Sequence, residues 1–458
     1  MKQNTNRWKA LSYLTLGAFL SPLDYFIVNI ALPKIGSHFN ASNASLQMVV
    51  ASYGLTYAAL VVCGGRFGDI FGRRKMFIYG LYIFLIASTA CAFAPSINFL
   101  ILSRIIQGAG AAMLAPQVLA NIRVIFPANE HAKAVGIFGA VFGFAAIMGQ
   151  LLGGILLKMQ PFGFTWQSVF LINIPVAITC ILGVSKSLPE TKLGTKVKID
   201  YTGIFYIISA LICIIYPLVK GREAGWPMWT FITIAIGIVL LFLFLQYETK
   251  MEQSNREPLI YASLLKNRAF SLGLTIILIY NFTAGLFICY PYYLQQHLSW
   301  SALDTGLAIL PYGVGFFLAP LISSKTKIKS VLLAQIGLLL LVLGTVLSAF
   351  LFLQVDNPNW LTHLALFIAG SGHGTVMPAM LKNVMTNVTV NQAGQASGIV
   401  STSIQIGSVL GGAIIGSIFF SFVESNTMPQ AIAMAIASIG FFQLIGLIIS
   451  VKYKQLNK

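Results

Sequence analysis

Fourteen apolar stretches, each long enough to cross a lipid bilayer as a helix, constrain this chain more than any other feature. A spanning helix needs roughly 20 mostly apolar residues. Such stretches lie at 11–33, 47–65, 76–94, 98–120, 133–157, 166–184, 201–219, 229–247, 269–294, 303–322, 330–353, 360–381, 396–421 and 430–451. They are continuous rather than alternating and exceed the roughly 10 residues of a barrel strand. The sequence therefore predicts an all-helical membrane protein.

Composition excludes a water-soluble fold. Only 9% of the 458 residues are charged and 57% are hydrophobic, whereas soluble proteins average about 25% charged residues. The five cysteines lie in apolar surroundings, without a CxxC pair or a His cluster, so we expect buried thiols rather than disulfides or a zinc site. There is no P-loop for a nucleotide. We therefore expect neither a metal nor a cofactor, and no enzyme.

The distribution of basic residues predicts the orientation. Of the 29 Lys and Arg residues, 24 lie on the side that holds both termini, and Arg104 lies within a stretch. The opposite side has only four, namely Lys34, Lys158, Lys220 and Arg222. This positive-inside pattern predicts a multi-pass cytoplasmic (inner) membrane protein with both termini cytoplasmic. It also accounts for the net charge of +17 without a nucleic-acid partner. The first stretch is too long for a cleavable signal peptide.

Two small-residue patterns indicate an internal repeat. Gly149–Gly154 recurs at Gly407–Gly412, an offset of 258 residues. A second pattern recurs at an offset of 262 residues; it comprises Gly108, Gly110, Ala112 and Pro116 in the fourth stretch, and Gly370, Gly372, Gly374 and Pro378 in the twelfth. Two similar offsets predict tandem six-helix halves running in parallel.

The repeat divides the chain into three parts. We expect a six-helix bundle at 1–184, two inserted transmembrane helices with cytoplasmic linkers at 185–268, and a second bundle with a cytoplasmic tail at 269–458. By default, we expect the inserted helices to fill lipid space beside the bundles.

Asp24 and Arg104 stand out as charged residues deep within the apolar stretches, and Asp24 is the only mid-span carboxylate. A charge near the bilayer centre costs at least about 2.5 kcal/mol on insertion scales. A carboxyl group in such a site can exchange a proton when its cavity changes sides, which favours proton-coupled transport. Alternatively, Asp24 has only a structural role: it forms an ion pair with a buried arginine, or it hydrogen-bonds the backbone where the helix is interrupted near Pro22. Arg104 could lock a helix interface, orient Asp24 or bind an anionic substrate.

The turn after the second stretch carries a recognisable motif. It runs from Gly65 to Lys75, and its characteristic residues are Gly65, Asp69, Gly72 and Arg73. Glycine permits a tight reversal and Asp69 can pair at a helix end. This turn resembles the signature loop of the major facilitator superfamily. The resemblance implies two six-helix bundles that rock around a central cavity.

Three further segments resemble the fourteen-helix drug:proton antiporter branch of that superfamily. They are Leu23–Pro33 around Asp24, Arg104–Gly110, and the antiporter-motif helix with Gly149, Gln150, Gly153 and Gly154. The resemblance implies that Asp24 and Arg104 couple transport to protons and that the loop acts in the conformational switch. Gln150 stands where the family has proline, which removes a kink. Leu366 stands where a second Arg104 would map.

The candidate substrate cavity combines aromatic and polar residues at membrane depth: Tyr25, Asn29, Tyr53, Tyr57, Gln117, Asn281 and Tyr290. Aromatic rings could stack on a planar lipophilic cation, although each could equally serve in packing. His373, in a glycine-rich run, is expected to be an interhelical partner.

These features favour a proton-coupled exporter of hydrophobic, often cationic small molecules, as in multidrug efflux. One mid-span carboxylate favours monovalent or neutral substrates. Alternatives are a dedicated exporter of one metabolite or siderophore-like anion and, more distantly, a non-transporting receptor or scaffold. We expect membrane lipid and protons as the other partners, and a functional monomer.

Overall fold

The computed structural model describes residues 7–191, 200–254, 256, 258–354, 357–386, 388 and 393–456, and in these ranges it contains helices and no strands. Fourteen of the described helices are long and apolar enough to cross a membrane. The prediction of fourteen helical spans is therefore confirmed. Of the 24 basic residues counted on the side of the termini, five lie outside the described residues, namely Lys2, Lys192, Lys196, Lys198 and Lys458.

We number the spans α1 to α14. Those before the inserted pair are α1 (Arg7–Phe39), α2 (Asn43–Phe71), α3 (Arg73–Ala92), α4 (Ile97–Ile125), α5 (Ala128–Met159) and α6 (Ser168–Ser187). The inserted pair is α7 (Tyr201–Lys220) and α8 (Met228–Gln253). The remainder are α9 (Arg268–His297), α10 (Ala302–Ser323), α11 (Ser330–Gln354), α12 (Trp360–Met385), α13 (Ala393–Ser425) and α14 (Met428–Leu456).

Proline interrupts three spans. α4 breaks after Ala112, four residues before Pro116, and α6 breaks after Leu171, four residues before Pro175. In α9, Asn281–Gly285 forms a 3₁₀ turn, and a π-helical turn follows Pro291. Proline has no N–H and its ring clashes with the carbonyl four residues earlier, which weakens the helix there. Because α1 and α9 are the most buried spans, the break in α9 lies at the centre of the molecule.

Equivalent glycines make the same contacts in the two halves. A Cβ atom on Gly110 of α4 would lie 2.9 Å from the carbonyl oxygen of Gly80 in α3. A Cβ atom on Gly372 of α12 would lie 2.5 Å from the carbonyl oxygen of Gly337 in α11. Lipid provides no hydrophobic drive for helices to associate, so small residues that let backbones touch hold such pairs together. These matched contacts agree with the tandem repeat.

The second repeated pattern also makes matched contacts. Gly149 of α5 faces α1, where a Cβ atom would lie 2.6 Å from Cβ of Phe26. Gly407 of α13 faces α9, where a Cβ atom would lie 3.0 Å from Cβ of Asn281. The fifth span of each half is therefore packed against the first by a glycine.

Helix α5 of the first half and helix α10 of the second touch on one side of the membrane and diverge toward the other. We call the face where α1 begins and α14 ends the terminal face. On the opposite face, a Cβ atom on Gly154 of α5 would lie 2.7 Å from Cα of Leu303 in α10. Toward the terminal face, no atom of the described chain lies within 4 Å of a Cβ placed on Gly136 or Gly139. Because these glycines share one side of α5, the two helices diverge toward the terminal face.

Polar contacts also close the opposite face. Gln295 of α9 donates through Nε2 to the carbonyl oxygen of Ile30 in α1 at 3.0 Å. A Cβ atom on Gly416 of α13 would lie 2.5 Å from Nε2 of Gln47 in α2. The described structure is therefore closed at the opposite face.

The inserted helices do more than occupy lipid space. α7 packs against α2 and α13, and Ser417 of α13 donates to the carbonyl oxygen of Leu218 at 2.7 Å. In contrast, α8 exposes most of its apolar side chains, as expected of a lipid-facing helix. Within the membrane, α7 therefore packs against both halves, whereas α8 is largely exposed.

The loop between α7 and α8 touches both halves at the opposite face. Glu223 accepts a hydrogen bond from the backbone N–H of Ala44 at 2.7 Å, and Arg222 forms an ion pair with Glu424 at the end of α13. Burial opposes ionisation of Glu223, but the hydrogen bonds it accepts and the charge of Lys220 lower its pKa below the ordinary value. The carboxylate therefore stays charged at neutral pH and holds the start of α2.

The divergence of α5 and α10 predicts opposite effects for one substitution at two glycines of α5. Gly154→Ala forces a methyl group against the backbone of α10 and should destabilise the protein by roughly 1–3 kcal/mol. Gly139→Ala meets no atom of the described chain and should be neutral or stabilising, by up to about 1 kcal/mol of helix propensity. Apparent melting temperatures of the purified variants check this. Equal melting temperatures would contradict the described packing.

Candidate functional site

Asp24 and Arg104 lie together in the middle of the first half. Both side chains are completely inaccessible, and Nη1 of Arg104 in α4 donates to Oδ2 of Asp24 in α1 in an ion pair. Breaking a buried ion pair leaves an uncompensated charge, which costs about 3–5 kcal/mol. The structure thus brings together the two residues that the sequence singles out.

Three neutral side chains complete the pair. Gln107 of α4 and Asn173 of α6 both donate to Oδ1 of Asp24, at 2.8 and 2.9 Å. The same two amides donate to the hydroxyl oxygen of Ser88 in α3, at 2.7 and 3.2 Å. A carboxylate that accepts several hydrogen bonds is stabilised in its charged form. Ser88 and Asn173 were not predicted, because single polar residues in apolar stretches give no signal of a shared site.

Arg104 has partners other than Asp24. Its Nε donates to the carbonyl oxygen of Val49 at 3.1 Å, and its Nη1 donates to Oε1 of Gln107 at 2.6 Å. Its guanidinium carbon lies 4.2 Å from the ring centroid of Tyr53, a cation–π distance. These contacts would hold the guanidinium in place if Asp24 became neutral. The pair can therefore lose its charge interaction without leaving Arg104 unpartnered.

Tyr53 lies between the ion pair and a central cavity. Its hydroxyl oxygen is 2.8 Å from the hydroxyl oxygen of Ser21, which is one turn before Asp24 on α1. Both residues line the cavity, whereas Asp24 and Arg104 do not. Two hydroxyl groups and one aromatic ring thus separate the buried carboxylate from the cavity.

The cavity lies between the two halves at the middle of the membrane. It has a volume of about 100 Å³, which is room for several water molecules but not for a drug-sized ligand. Its lining residues are Ser21, Pro22, Tyr25, Phe26, Tyr53, Tyr57, Phe142, Tyr280, Asn281, Ala284, Phe287, Tyr312, Phe316, His373, Met377, Ile404, Gln405 and Ser408. These residues include no Asp, Glu, Lys or Arg. The cavity therefore suits an apolar or aromatic molecule and must widen to accept one.

Four of the seven predicted cavity residues line this space, namely Tyr25, Tyr53, Tyr57 and Asn281. The other three are not among its lining residues. Asn29 donates back to the carbonyl oxygen of Tyr25 at 2.7 Å, Gln117 donates to that of Gly64 at 2.6 Å, and the Tyr290 ring packs on Phe352. The amides of Asn29 and Gln117 thus donate to backbone carbonyl oxygens, and Tyr290 packs in the core. This is the packing role left open in the sequence analysis.

An aromatic group in the second half was not predicted. Tyr312 and Phe316 are one turn apart on α10, and Oη of Tyr312 is 2.6 Å from Nδ1 of His373 in α12. His373 is thus an interhelical partner, as expected, and it also lines the cavity. The spacing of the two rings at i and i+4 is the signal that could have identified this face of α10.

The turn between α2 and α3 is held by its motif residues. Gly72 has φ +107°, a conformation that side chains rarely adopt. Asp69 and Arg73 form an ion pair at 2.9 Å, and Arg73 also donates to the carbonyl oxygen of Ala120 in α4 at 3.3 Å. Gly65 faces Pro116 of α4, where a Cβ atom would be in ordinary contact at 3.7 Å. The motif therefore fixes the turn against α4.

Glu190, beyond the end of α6, is a further part of this turn. Its two carboxylate oxygens accept hydrogen bonds from the backbone N–H groups of Arg74 and Lys75, at 3.1 and 3.2 Å. A carboxylate at a helix N-terminus satisfies free N–H groups and complements the helix dipole. The sequence analysis did not single out Glu190, because its partners are more than 100 residues away.

The antiporter-motif helix α5 faces both α1 and α10. Gly149 and Gly153 contact α1, and Gly154 contacts α10. Gln150 is buried and donates to the carbonyl oxygen of Phe26 at 3.4 Å, while its Oε1 has no partner in the described part of the chain. Where the family has a proline, this chain therefore has an uninterrupted helix whose Gln150 side chain is hydrogen-bonded to α1.

Comparison with known proteins agrees with this architecture. The model of the Major Facilitator Superfamily matches residues 14–412. The chain is 33% identical to the probable actinorhodin transporter of Streptomyces coelicolor, with 92% of this chain and 74% of that protein covered. It is 30% identical to the multidrug resistance protein Stp of Mycobacterium tuberculosis, with 93% and 78% covered.

A solved structure shows the same fold. The xylose transporter XylE from E. coli, in a partially occluded inward open conformation, superimposes with a TM-score of 0.68 at 14% identity, covering 97% of each chain. Together with the match over most of the sequence, these similarities establish that the chain belongs to the major facilitator superfamily of membrane transporters.

Proposed function

We propose that this protein exports hydrophobic, often cationic small molecules in exchange for protons, as a multidrug efflux antiporter. The observation that carries the proposal is the fully buried Asp24–Arg104 pair beside an aromatic cavity between two six-helix halves. Relatives named as an actinorhodin transporter and a multidrug resistance protein support export of drug-like compounds.

The cavity favours substrates that are recognised without a counter-ion. Tyrosine and phenylalanine rings from both halves surround it, and aromatic rings attract cations and stack on planar groups. The alternative of an anionic substrate bound by Arg104 is less favoured, because Arg104 is inaccessible and separated from the cavity by Tyr53.

Proton exchange at Asp24 would couple the two fluxes. In this arrangement Asp24 is paired with Arg104 while the halves are apart at the terminal face, the state that would take up substrate. A proton on Asp24 would remove the attraction to Arg104, whose contacts with Gln107, Val49 and Tyr53 remain. Asp24 could then carry the proton while Arg104 stays in place within the first half.

Alternating access would use the divergence of α5 and α10. Gly154 is in contact on the opposite face and Gly139 is not in contact toward the terminal face. When the two halves rock, the contact at Gly154 would open and the region of Gly139 would come into contact. The clustered basic residues Arg66, Arg73 and Arg74 between α2 and α3 support a cytoplasmic terminal face, so the cavity would load from the cytoplasm. We further propose that the protein works as a monomer in a cytoplasmic membrane. Its moving parts would be the bundles at 1–184 and 269–458, with the inserted helices at 185–268 between them.

Asp24→Asn should abolish proton-driven transport. In inside-out vesicles, an imposed proton gradient should drive several-fold accumulation of a lipophilic cationic dye by the unaltered protein. The variant should lose this accumulation, because the amide cannot take up and release a proton. Dye accumulation with and without the gradient measures the effect.

Asp304→Asn is the matched control, because Asp304 is an exposed carboxylate in the first turn of α10. It should accumulate dye normally. Dye binding to purified Asp24→Asn separates lost coupling from lost folding. Undiminished gradient-driven accumulation in the Asp24 variant would remove this residue from the mechanism.

Gly139→Leu should block the cycle without harming the fold. The larger side chain has open space in this arrangement but would be a wedge between α5 and α10 when the terminal face closes. We expect normal expression and thermal stability with transport reduced at least tenfold. Gly139→Ala, a smaller wedge at the same position, should retain most activity. Full activity of the leucine variant would show that α5 and α10 do not approach each other here.

A further inference from the structure

A second pair of buried acidic residues lies at the terminal end of the inserted helices. Asp200 precedes the first turn of α7 and Glu248 lies near the end of α8. Their exposed fractions are 5% and 0%. They lie in a different part of the molecule from the Asp24 site, and the proposed export mechanism does not use them.

Each carboxyl group has one oxygen that is hydrogen-bonded and one that is not. Oδ1 of Asp200 accepts from the backbone N–H of Gly203 at 2.9 Å and from the hydroxyl of Tyr247 at 3.1 Å. Oε2 of Glu248 accepts from the backbone N–H of Ile260 at 2.9 Å. Oδ2 of Asp200 and Oε1 of Glu248 are buried and have no hydrogen-bond partner in the described chain.

The two unpartnered oxygens face the same point. Both lie within 3.0 Å of the position that a Cβ atom of Gly203 would occupy. They are therefore less than twice that distance, 6.0 Å, from each other. Gly203 leaves the space that lets the second carboxyl group approach the first.

Among the residues that the structure describes, the surrounding charges do not neutralise two carboxylates. The titratable groups that face them are Tyr247 on α8 and, on α2, Cys63 and Arg66. Arg66 also contacts the carbonyl oxygen of Pro258, two residues before Ile260. One arginine against two buried carboxylates leaves a net negative charge, and unpaired buried charge is strongly unfavourable.

We propose that Asp200 and Glu248 form a proton-binding site in which one proton is shared between Oδ2 and Oε1 at neutral pH. The protonated oxygen donates its O–H to the other oxygen, which accepts it, so one proton gives both oxygens a hydrogen-bond partner. The described chain places no third His, Cys, Asp or Glu ligand here, so a proton suits the site better than a metal ion. The partly exposed Tyr247, bonded to Asp200, provides a route to solvent.

The site joins three parts of the transporter. α2 and its signature turn supply Arg66, the inserted pair supplies the two carboxyl groups, and the segment leading into α9 supplies Ile260. Loss of the shared proton would leave a negative charge that draws Arg66 toward α7 and α8. The proton occupancy of this site would therefore set how tightly α2 is held to the inserted pair.

Infrared difference spectroscopy of the purified full-length protein, titrated from alkaline to acidic pH, tests the proposal without any transport assay. The unaltered protein should show the C=O stretch of one protonated carboxyl group at neutral pH. The signal should be lost in Glu248→Gln and in Asp200→Asn. Both changes suit the fold, because glutamine can donate to Asp200, and asparagine caps a helix as well as aspartate does.

Glu252→Gln is the matched control. Glu252 is one turn further along α8 and likewise accepts a backbone hydrogen bond, from Ser263 at 2.9 Å. Its variant, and Asp24→Asn, should keep the signal. Absence of the signal in the unaltered protein, its persistence in both variants of the pair, or equal loss in Glu252→Gln would overturn the proposal. So would appearance of the signal only after chelation of divalent cations, since the pair would then bind a metal ion.

Discussion

The buried attraction between Asp24 and Arg104 dictates how the first half is assembled. A charge inside a membrane protein is tolerated only when its partners are supplied by the protein itself. Here the donors and acceptors come from α1, α2, α3, α4 and α6. These helices cannot shift independently without leaving a charge unpaired. In the second half, Leu366 stands at the equivalent of Arg104 and is buried among apolar residues, so the ion pair has no counterpart at that position.

Close contact between glycines and neighbouring backbones provides the other constraint. Within each half, pairs such as Gly110 with Gly80 and Gly372 with Gly337 bring helices into direct contact and make the half move as one body. Between the halves, the same kind of contact exists at Gly154 but not at Gly139. The interface can therefore open and close without repacking the interior of either half. A rigid pair of bodies with a one-sided contact is the physical requirement for alternating access.

The sequence predicts features that local patterns determine. Apolar length defines the fourteen spans, and an uncompensated Asp24 or Arg104 stands out because a charge in lipid is costly. The cavity was only partly predictable: Tyr53 and Asn281 line it, but Gln117 and Tyr290 do not. The orientation of each helix about its own axis decides which side chains reach the cavity. A stretch that is hydrophobic on all sides does not show which of its faces points toward the cavity. Residues that act through distant partners, such as Glu190, carry no local signal at all.

The inserted helices are best understood through their two ends. At the opposite face, their loop holds α2 through Glu223 and α13 through Arg222. Because α2 and α13 belong to different halves, both contacts cannot survive when that face opens. The loop therefore adds stability to the closed opposite face and must release one half in each cycle. Glu223 binds a backbone N–H at 2.7 Å, whereas Arg222 is buried against the ring of Phe420 as well as paired with Glu424. On the α2 side Lys220 also donates to the hydroxyl oxygen of Ser45 at 3.4 Å, so both contacts have more than one component, and release of either leaves the inserted pair attached to the other half.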